Sequence, residues 1–327
     1  MLSVPAATSN CPLCKYDGFT ILRRIENANL SPAIHTFNAI RCSRCQLVRM
    51  DPWPRKKDLE TLYAVEHTFS TNRVFKPSGL NPNSFSERFY RRFGSDDKFI
   101  VKKCLNYIDI KREYSVLDIG CGNGRLLQTF KLHSSASLDL TGIDIDAGSL
   151  ELVPNWLHDR ILIGNFTEMD FDQKFDIITM KFVVEHLPNA LAFVEHAVKF
   201  LSKGGILLIS TPDIDSPKSE ELQCDWPSLN DSSIKTGHIL WFNRFSLKML
   251  GEAVGLTLVK CTNRGELFYH LRPWQKRIMI LLFGKDSHGR PIRNTRLRLF
   301  YAALFDGTFS QVFNYGDSLY AFYKHSA

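Results

Sequence analysis

No apolar run in this chain of 327 residues is long enough to cross a bilayer. The longest uninterrupted stretch near the C-terminus covers only residues 278–283, where a spanning helix needs about 20 residues. The first seven residues, MLSVPAA, lack the basic start and long apolar stretch of a secretory leader, so the cytoplasm is the expected compartment. An extracellular disulfide scaffold explains the cysteines less well than a metal site does. Of the eight cysteines, four fall in two Cys-x-x-Cys pairs, while Cys104, Cys121, Cys224 and Cys261 are scattered, a pattern that suits a metal site in a reducing compartment. Acid is almost missing from residues 271–305, where Asp286 alone faces Arg272, Lys276, Arg277, Lys285, Arg290, Arg293, Arg296 and Arg298. That segment accounts for the whole net charge of +7, so attraction to phosphate, nucleic acid or anionic lipid should concentrate there. With 44% hydrophobic residues the chain can bury a full core, and its length suggests one large domain plus appendages.

What is present is organised around residues 116–124, VLDIGCGNG, an apolar run that breaks into Gly120, Gly122 and Gly124. It reads as a strand ending in a sharp turn beside a ligand, with helical character resuming at Arg125. A dinucleotide fingerprint would place its third glycine at 125, and Arg125 excludes that spacing. Asp118, two residues before the first glycine, suits a cationic ligand better than a pyrophosphate.

Downstream, strands and helices alternate as a doubly wound α/β sheet requires. Strands are predicted over 138–143, 160–163, 175–180 and 206–210, with a helix over 150–158 between the first two. Pro188 fits the first turn of the helix after the 175–180 strand, which leaves Glu185 and His186 in the loop at that strand's carboxyl end. Asp144 ends the second strand 20 residues beyond the last glycine, the separation at which an acid can accept from both hydroxyls of a ribose. A sixth strand over 256–261 and a last one over 317–323 complete the pattern.

From residue 114 to 262 the order of motifs resembles the class I S-adenosylmethionine (SAM)-dependent methyltransferases. The resemblance rests on Asp118 with the three glycines, the acid at 144, Phe175-Asp176, Glu185-His186-Leu187-Pro188, and Gly204-Gly205. The Glu-His pair and the run 237–247, GHILWFNRFSL, are most similar to the subgroup containing ubiquinone-pathway O-methyltransferases and bacterial small-molecule methyltransferases. The resemblance implies a Rossmann-like sheet of seven strands with the last antiparallel, and SAM as cofactor. It implies Gly120, Gly122 and Gly124, flanked by Asp118 and Cys121, around the methionine part. Asp144 with Ile145 then falls at the ribose, Asn165 with Phe166 at the adenine, and Lys181 among the further cofactor contacts. An acid is typical of that family's adenine loop; Asn165 stands there instead and can still bond the adenine amino group. No Asn-Pro-Pro-Tyr run follows residue 180, which argues against amino methylation of adenine. A hydroxyl or acidic carbon acceptor needs a base, and His186 and His238 are the candidates.

Ahead of this domain, Cys11-Pro-Leu-Cys14 and Cys42-Ser-Arg-Cys45 form two knuckles about 27 residues apart, the pattern of a structural four-thiolate zinc site with no open position for catalysis. His35 is a packing or surface residue in this reading. Strands over 19–24 and 37–41 complete a zinc ribbon. A similar four-cysteine knuckle precedes the domain in some sugar methyltransferases.

The expected organisation is a zinc-ribbon lobe over 1–55, a helical cap or linker over 56–113, and a SAM-binding domain over 114–327 that carries a basic helical insertion at 265–312. Within the linker a helix is predicted over 56–63 and one or two helices over 84–110, broken near Gly94, and residues 67–83 read as a loop that closes over a site. Residues 225–235 read as a substrate lid. The helices predicted at 274–283 and 293–305 are basic at the start and apolar nearly all round at the end, so they cover the site, form a dimer contact, or meet a membrane surface at the inner face. The acceptor is expected to be a small molecule or a glycan, including lipid-linked or polysaccharide precursors. A zinc-ribbon RNA methyltransferase and a non-catalytic SAM-binding scaffold are the competing readings. The absence of an RNA-binding motif beside the basic segment disfavours nucleic acid.

Overall fold

The computed structural model describes residues 10–26, 36–55, 57–58, 96–108, 113–134, 136–229, 237–264 and 316–325. Among them lie eleven strands in two sheets. The lobe holds β1 (Phe19–Ile25), β2 (Phe37–Cys42) and β3 (Val48–Asp51). The larger sheet is built from β4 (Glu113–Ile119), β5 (Ser137–Asp144), β6 (Ile161–Ile163), β7 (Phe175–Lys181), β8 (Leu201–Pro212), β10 (Leu256–Arg264) and β11 (Ser318–His325). A short strand, β9 (Leu240–Trp241), leaves this domain and joins the lobe sheet.

The strand order of the large sheet is β10-β11-β8-β7-β4-β5-β6. β4 lies between β5 and β7 and pairs in parallel with both, and the chain direction reverses only at β11, which is antiparallel to β8 and to β10. This is the Rossmann-like arrangement the sequence implied. The carboxyl ends of β4, β5 and β7 therefore open onto one edge, next to the point where the strand order reverses direction. At the same edge β10 ends beside the start of β11, with Arg264 paired to Ser318.

β4 reads Tyr-Ser-Val-Leu-Asp-Ile, and its last four residues are all buried, as a central parallel strand covered on both faces demands. One face packs under α1 (Asp96–Tyr107) and α2 (Arg125–His133), where Phe99, Ile100, Cys104, Leu127 and Phe130 meet Val116, Ile177 and Phe322. The opposite face packs with Phe193, Val194 and Ala197 of α4 (Ala190–Val198) and with Leu247 and Leu250 of α6 (Arg244–Ala253). That second cluster runs without a break into the lobe through Phe37, Val48, Met50 and Trp241.

Two helix boundaries differ from the sequence expectation. Residues 150–158 do not make one helix: a 3-10 turn over Ala147–Leu152 stops, and α3 (Asn155–His158) begins anew. Pro154 is the cause, because its ring restricts it and its predecessor; Val153 and Pro154 are both extended. Pro188 lies outside α4, and Asn189 instead caps that helix through the Ala192 amide. α5 (Pro217–Leu222) follows β8 and is capped by Ser216. Of the one or two helices predicted over 84–110, the part after the break near Gly94 is present as α1 from Asp96; the part before it, most of the helix at 56–63, the loop at 67–83, His35 and the insertion at 265–312 fall outside the described residues. Among the described residues no helix is long and apolar enough to cross a membrane.

Candidate functional site

The glycine turn carries φ angles of 73°, 52° and 69° at Gly120, Gly122 and Gly124, all in the left-handed region that favours glycine. The three serve different ends. A Cβ on Gly120 would stand 2.5 Å from Val183 Cγ2, and one on Gly124 2.6 Å from Leu157 Cδ2, so these two let the loop after β7 and α3 close on the turn. A Cβ on Gly122 would meet nothing within 4 Å. Gly122 is thus the glycine whose face stays open.

The turn is fastened to the end of β5. The amides of Gly120 and Cys121 donate to Ile143 O at 2.8 and 3.0 Å, and the Gly122 amide donates to Asp144 Oδ2 at 2.6 Å. Asp144 Oδ1 accepts from the Asp146 amide at 2.9 Å. Ile145 beside it is 60% exposed, an apolar side chain presented at the strand ends, as a flat ring would require. Cys121 is 7% exposed, and burial pushes its thiol well above the usual range, so it has only backbone to offer a ligand.

Asp118 is buried and accepts from Thr179 Oγ1 at 2.6 Å. Burial pushes its carboxyl up to about 7, against the pull of Thr179 and Lys181 and with the help of Asp97 and Asp144. Asn165 caps the turn Phe166–Glu168 through the Thr167 amide, and its Nδ2 donates to Glu168 Oε1 at 3.0 Å. An acid thus stands three residues after the position where the sequence lacked one. Phe166 is 3% exposed, and its ring packs on Phe193, His196 and Phe200.

Lys181 closes β7 and pairs with Asp97 Oδ1 at 2.6 Å, while Arg125, the first residue of α2, pairs with Asp97 Oδ2 at 2.6 Å. Burial alone would raise the Asp97 carboxyl; Lys181 and Arg125 outweigh it and hold it below its ordinary value. Sequence reasoning missed Asp97. Its only signal was an acidic pair at a helix start, which is common for dipole reasons alone.

On the other side of β7, Glu185, His186 and His238 gather a carboxylate and two imidazoles whose ligand atoms lie within 4.8 Å of one another, close enough to share a proton or a cation. Glu185 is fully buried, His238 Nε2 lies 4.0 Å from Glu185 Oε1, and the two imidazoles meet edge to face at 4.7 Å. Burial lowers His186 to about 4, so its imidazole is neutral at physiological pH. The two histidines, 52 positions apart in sequence, are thus brought together. Of the segment expected to form a lid, Trp226 and Leu229 are anchored in the core at 1% and 0% exposed, Asp225 is exposed, and residues 230–235 lie outside the described set.

The four knuckle cysteines also converge. Cys11 and Cys45 Sγ lie 3.4 Å apart, Cys14 and Cys42 Sγ 3.5 Å apart, and all four fall within 4.8 Å of one another. Each knuckle makes the same turn. Lys15 and Gln46, the residues after the second cysteine, have φ of 59° and 62° and donate their amides to Cys11 O and Cys42 O.

A family profile described as a methyltransferase domain matches residues 87–261, more than half of the chain. Among curated proteins the chain is similar to the ubiquinone biosynthesis O-methyltransferase of Rickettsia prowazekii, at 26% identity over 159 residues, 48% of this chain and 59% of that protein. It is also similar to the protein of the same name from Coxiella burnetii, at 29% identity over 102 residues, 29% of this chain and 42% of that protein. The matches thus span about half the length of those relatives. Among solved structures, the plantazolicin methyltransferase BamL, in complex with a desmethyl analogue and SAH, aligns at a TM-score of 0.46 and 18% identity, over 82% of this chain and 100% of that one. With the profile covering the glycine turn, the acid of β5 and the Glu-His loop together, the chain belongs to the methyltransferase-domain family, in its class I SAM-dependent branch.

Proposed function

We propose that the protein transfers the methyl group of SAM to a hydroxyl or acidic carbon of a small-molecule or glycan acceptor. The observation that carries this reading is the 2.6 Å bond from the open-faced Gly122 to Asp144, which holds the acid of β5 against the glycine turn. SAM supplies a methyl group already activated by a positive sulfur, so the task left to the chain is positioning. Gly120 to Gly124 offer backbone to the methionine part, Asp144 offers acceptor capacity to ribose hydroxyls, Ile145 offers an apolar face, and Asn165 offers its amide to the adenine. Asp118, Cys121 and Phe166 shape these surfaces from beneath. Lys181, fixed by Asp97, supplies a cation beside the turn.

His238 is the better placed of the two bases. Its Nδ1 bonds to the carbonyl of Ser228 at 3.0 Å, so Nδ1 carries the hydrogen and Nε2 is left as the basic nitrogen. Glu185 beside Nε2 stabilises the imidazolium that forms when a proton is taken from the acceptor. His186, held neutral, packs on that ring and orients it.

The four cysteines fit a structural zinc ion. Tetrahedral bonds of about 2.3 Å put sulfurs roughly 3.8 Å apart, a spacing bracketed by the observed pairs and the 4.8 Å limit. The basic segment 271–305 supports an anionic or lipid-linked acceptor met at the inner membrane face, or a dimer contact. Calorimetry with SAM tests the cofactor, and the absence of binding would overturn the reading. Mass spectrometry of metabolite and glycan pools incubated with isotopically labelled SAM identifies the acceptor. His186→Ala and His238→Ala variants that both keep full turnover would remove the base assignment.

A further inference from the structure

The acceptor side of the site is not held by the large sheet alone. His238 is followed at once by Ile239, whose amide donates to Glu185 O and whose carbonyl accepts from the Met50 amide, each at 3.0 Å. Next come Leu240 and Trp241, the two residues of β9, in register with Arg49 and Val48 of the cysteine lobe. The Trp241 ring is 1% exposed and lies parallel to Phe37 of β2, at an interplanar angle of 2° and 5.9 Å between centroids. Its indole Nε1 donates to Ser228 O at 2.7 Å. That is the same carbonyl that takes the hydrogen of His238 Nδ1.

We infer that Trp241 is a positioning residue for His238: clamped by the cysteine lobe through backbone pairing and the Phe37 stack, it aims the Ser228 carbonyl that fixes the imidazole's tautomer. A carbonyl oxygen has two lone pairs and no hydrogen, so it accepts from both rings at once and obliges each to be a donor. The indole can only donate, and its donor direction is set by a buried ring with no freedom to turn. It therefore sets the carbonyl's direction, and the carbonyl in turn selects the Nδ1–H form of His238. The remaining nitrogen, Nε2, then faces Glu185. The lobe, which supplies none of the proposed cofactor contacts, acts through this path on the acceptor half of the site.

This inference rests on the reading of His238 as the base, but its test reads the ring itself. Long-range proton–nitrogen NMR of the full-length protein, with histidine ring nitrogens labelled and His238 assigned by its loss in His238→Gln, reports the tautomer directly. The native protein should show His238 in the Nδ1–H form. Trp241→Phe keeps an aromatic ring on Phe37 and removes the indole hydrogen; the tautomer ratio should move by about tenfold, the equivalent of one hydrogen bond. SAM affinity measured by calorimetry should stay within about twofold, because no cofactor contact is touched. A His238 that remains wholly Nδ1–H in Trp241→Phe overturns the inference. If Trp241→Phe fails to fold, Phe37→Leu decides, since it removes the stack and keeps the indole: a shifted tautomer supports the clamp, an unshifted one overturns it. Full turnover in His238→Gln would instead overturn the base reading and leave the tautomer result standing.

Discussion

Asp97 and Lys181 form a 2.6 Å ion pair between the first turn of α1 and the last residue of β7, and the second oxygen of the same carboxylate holds Arg125 at the start of α2. One buried acid thus ties the covering helix to the two elements that flank the glycine turn. Asp97→Ala leaves Lys181, only 20% exposed, without that partner. A loss of about 3 kcal/mol in urea unfolding is expected, together with weaker SAM binding. Loss of stability with unchanged SAM affinity would confine Asp97 to the fold.

Asp144→Ala removes an acceptor from the turn and from the proposed ribose contact at one stroke. SAM affinity should fall by roughly 1–3 kcal/mol by calorimetry. An affinity equal to the native one would refute the ribose role.

Gly120→Ala and Gly122→Ala separate packing from binding. Both put a side chain on a left-handed backbone, at about 1–2 kcal/mol each. Gly120→Ala adds a 2.5 Å collision with Val183 and should lower the melting temperature further. Gly122→Ala meets open space, so its additional cost should appear in SAM affinity and not in thermal stability. Equal behaviour of the two variants would contradict the division.

Asp118 makes stability depend on pH. Its carboxyl titrates near 7 in the folded protein against an ordinary value of 3.8. Between those values the unfolded chain releases a proton that the folded chain keeps, so this contribution is full below about 4 and is lost as pH rises through 7. Asp213, raised by burial to about 6, acts with the same sign. The melting temperature of Asp118→Asn should therefore fall less than that of the native protein between pH 5 and pH 7.5, with the Asp213 part remaining; parallel curves would refute the assignment.

Cys42→Ser, or prolonged chelation, should release one zinc ion per chain. Because β3 pairs with β9, hydrogen exchange should rise at residues 48–51 and also at 239–241, far away in sequence. Protein without zinc as purified, still protected at both places, would contradict the metal assignment.

Four strands of the large sheet carry a local signature in the sequence: the glycine break after β4, the acid ending β5, Phe175-Asp176 opening β7, and Gly204-Gly205, which reads as a turn before the strand but lies within the longer β8. The site's long-range members were not legible in this way. Nothing near Asp97 says that its partners are Arg125 and Lys181. Nothing in Leu240-Trp241 says that two residues will cross to another sheet, because so short a strand has no periodicity to read. The single helix expected over 150–158 fails for a local reason, the break that Pro154 imposes. The division of labour among the glycines was hidden too, since each looks alike until Val183 and Leu157 are seen against two of them.

The pairing of Arg264 with Ser318 has a consequence for how such a protein can change. The chain leaves the sheet and re-enters it at two adjacent residues on the ligand-side edge, so the interval between them is a cassette whose ends are already closed. The closure entropy of a longer interval adds little, because it grows only with the logarithm of length, and the register of β10 and β11 is set by their own eight-residue ladder. The length and basic charge of that interval can therefore change while Asp144 and the glycine turn keep their places in the sheet.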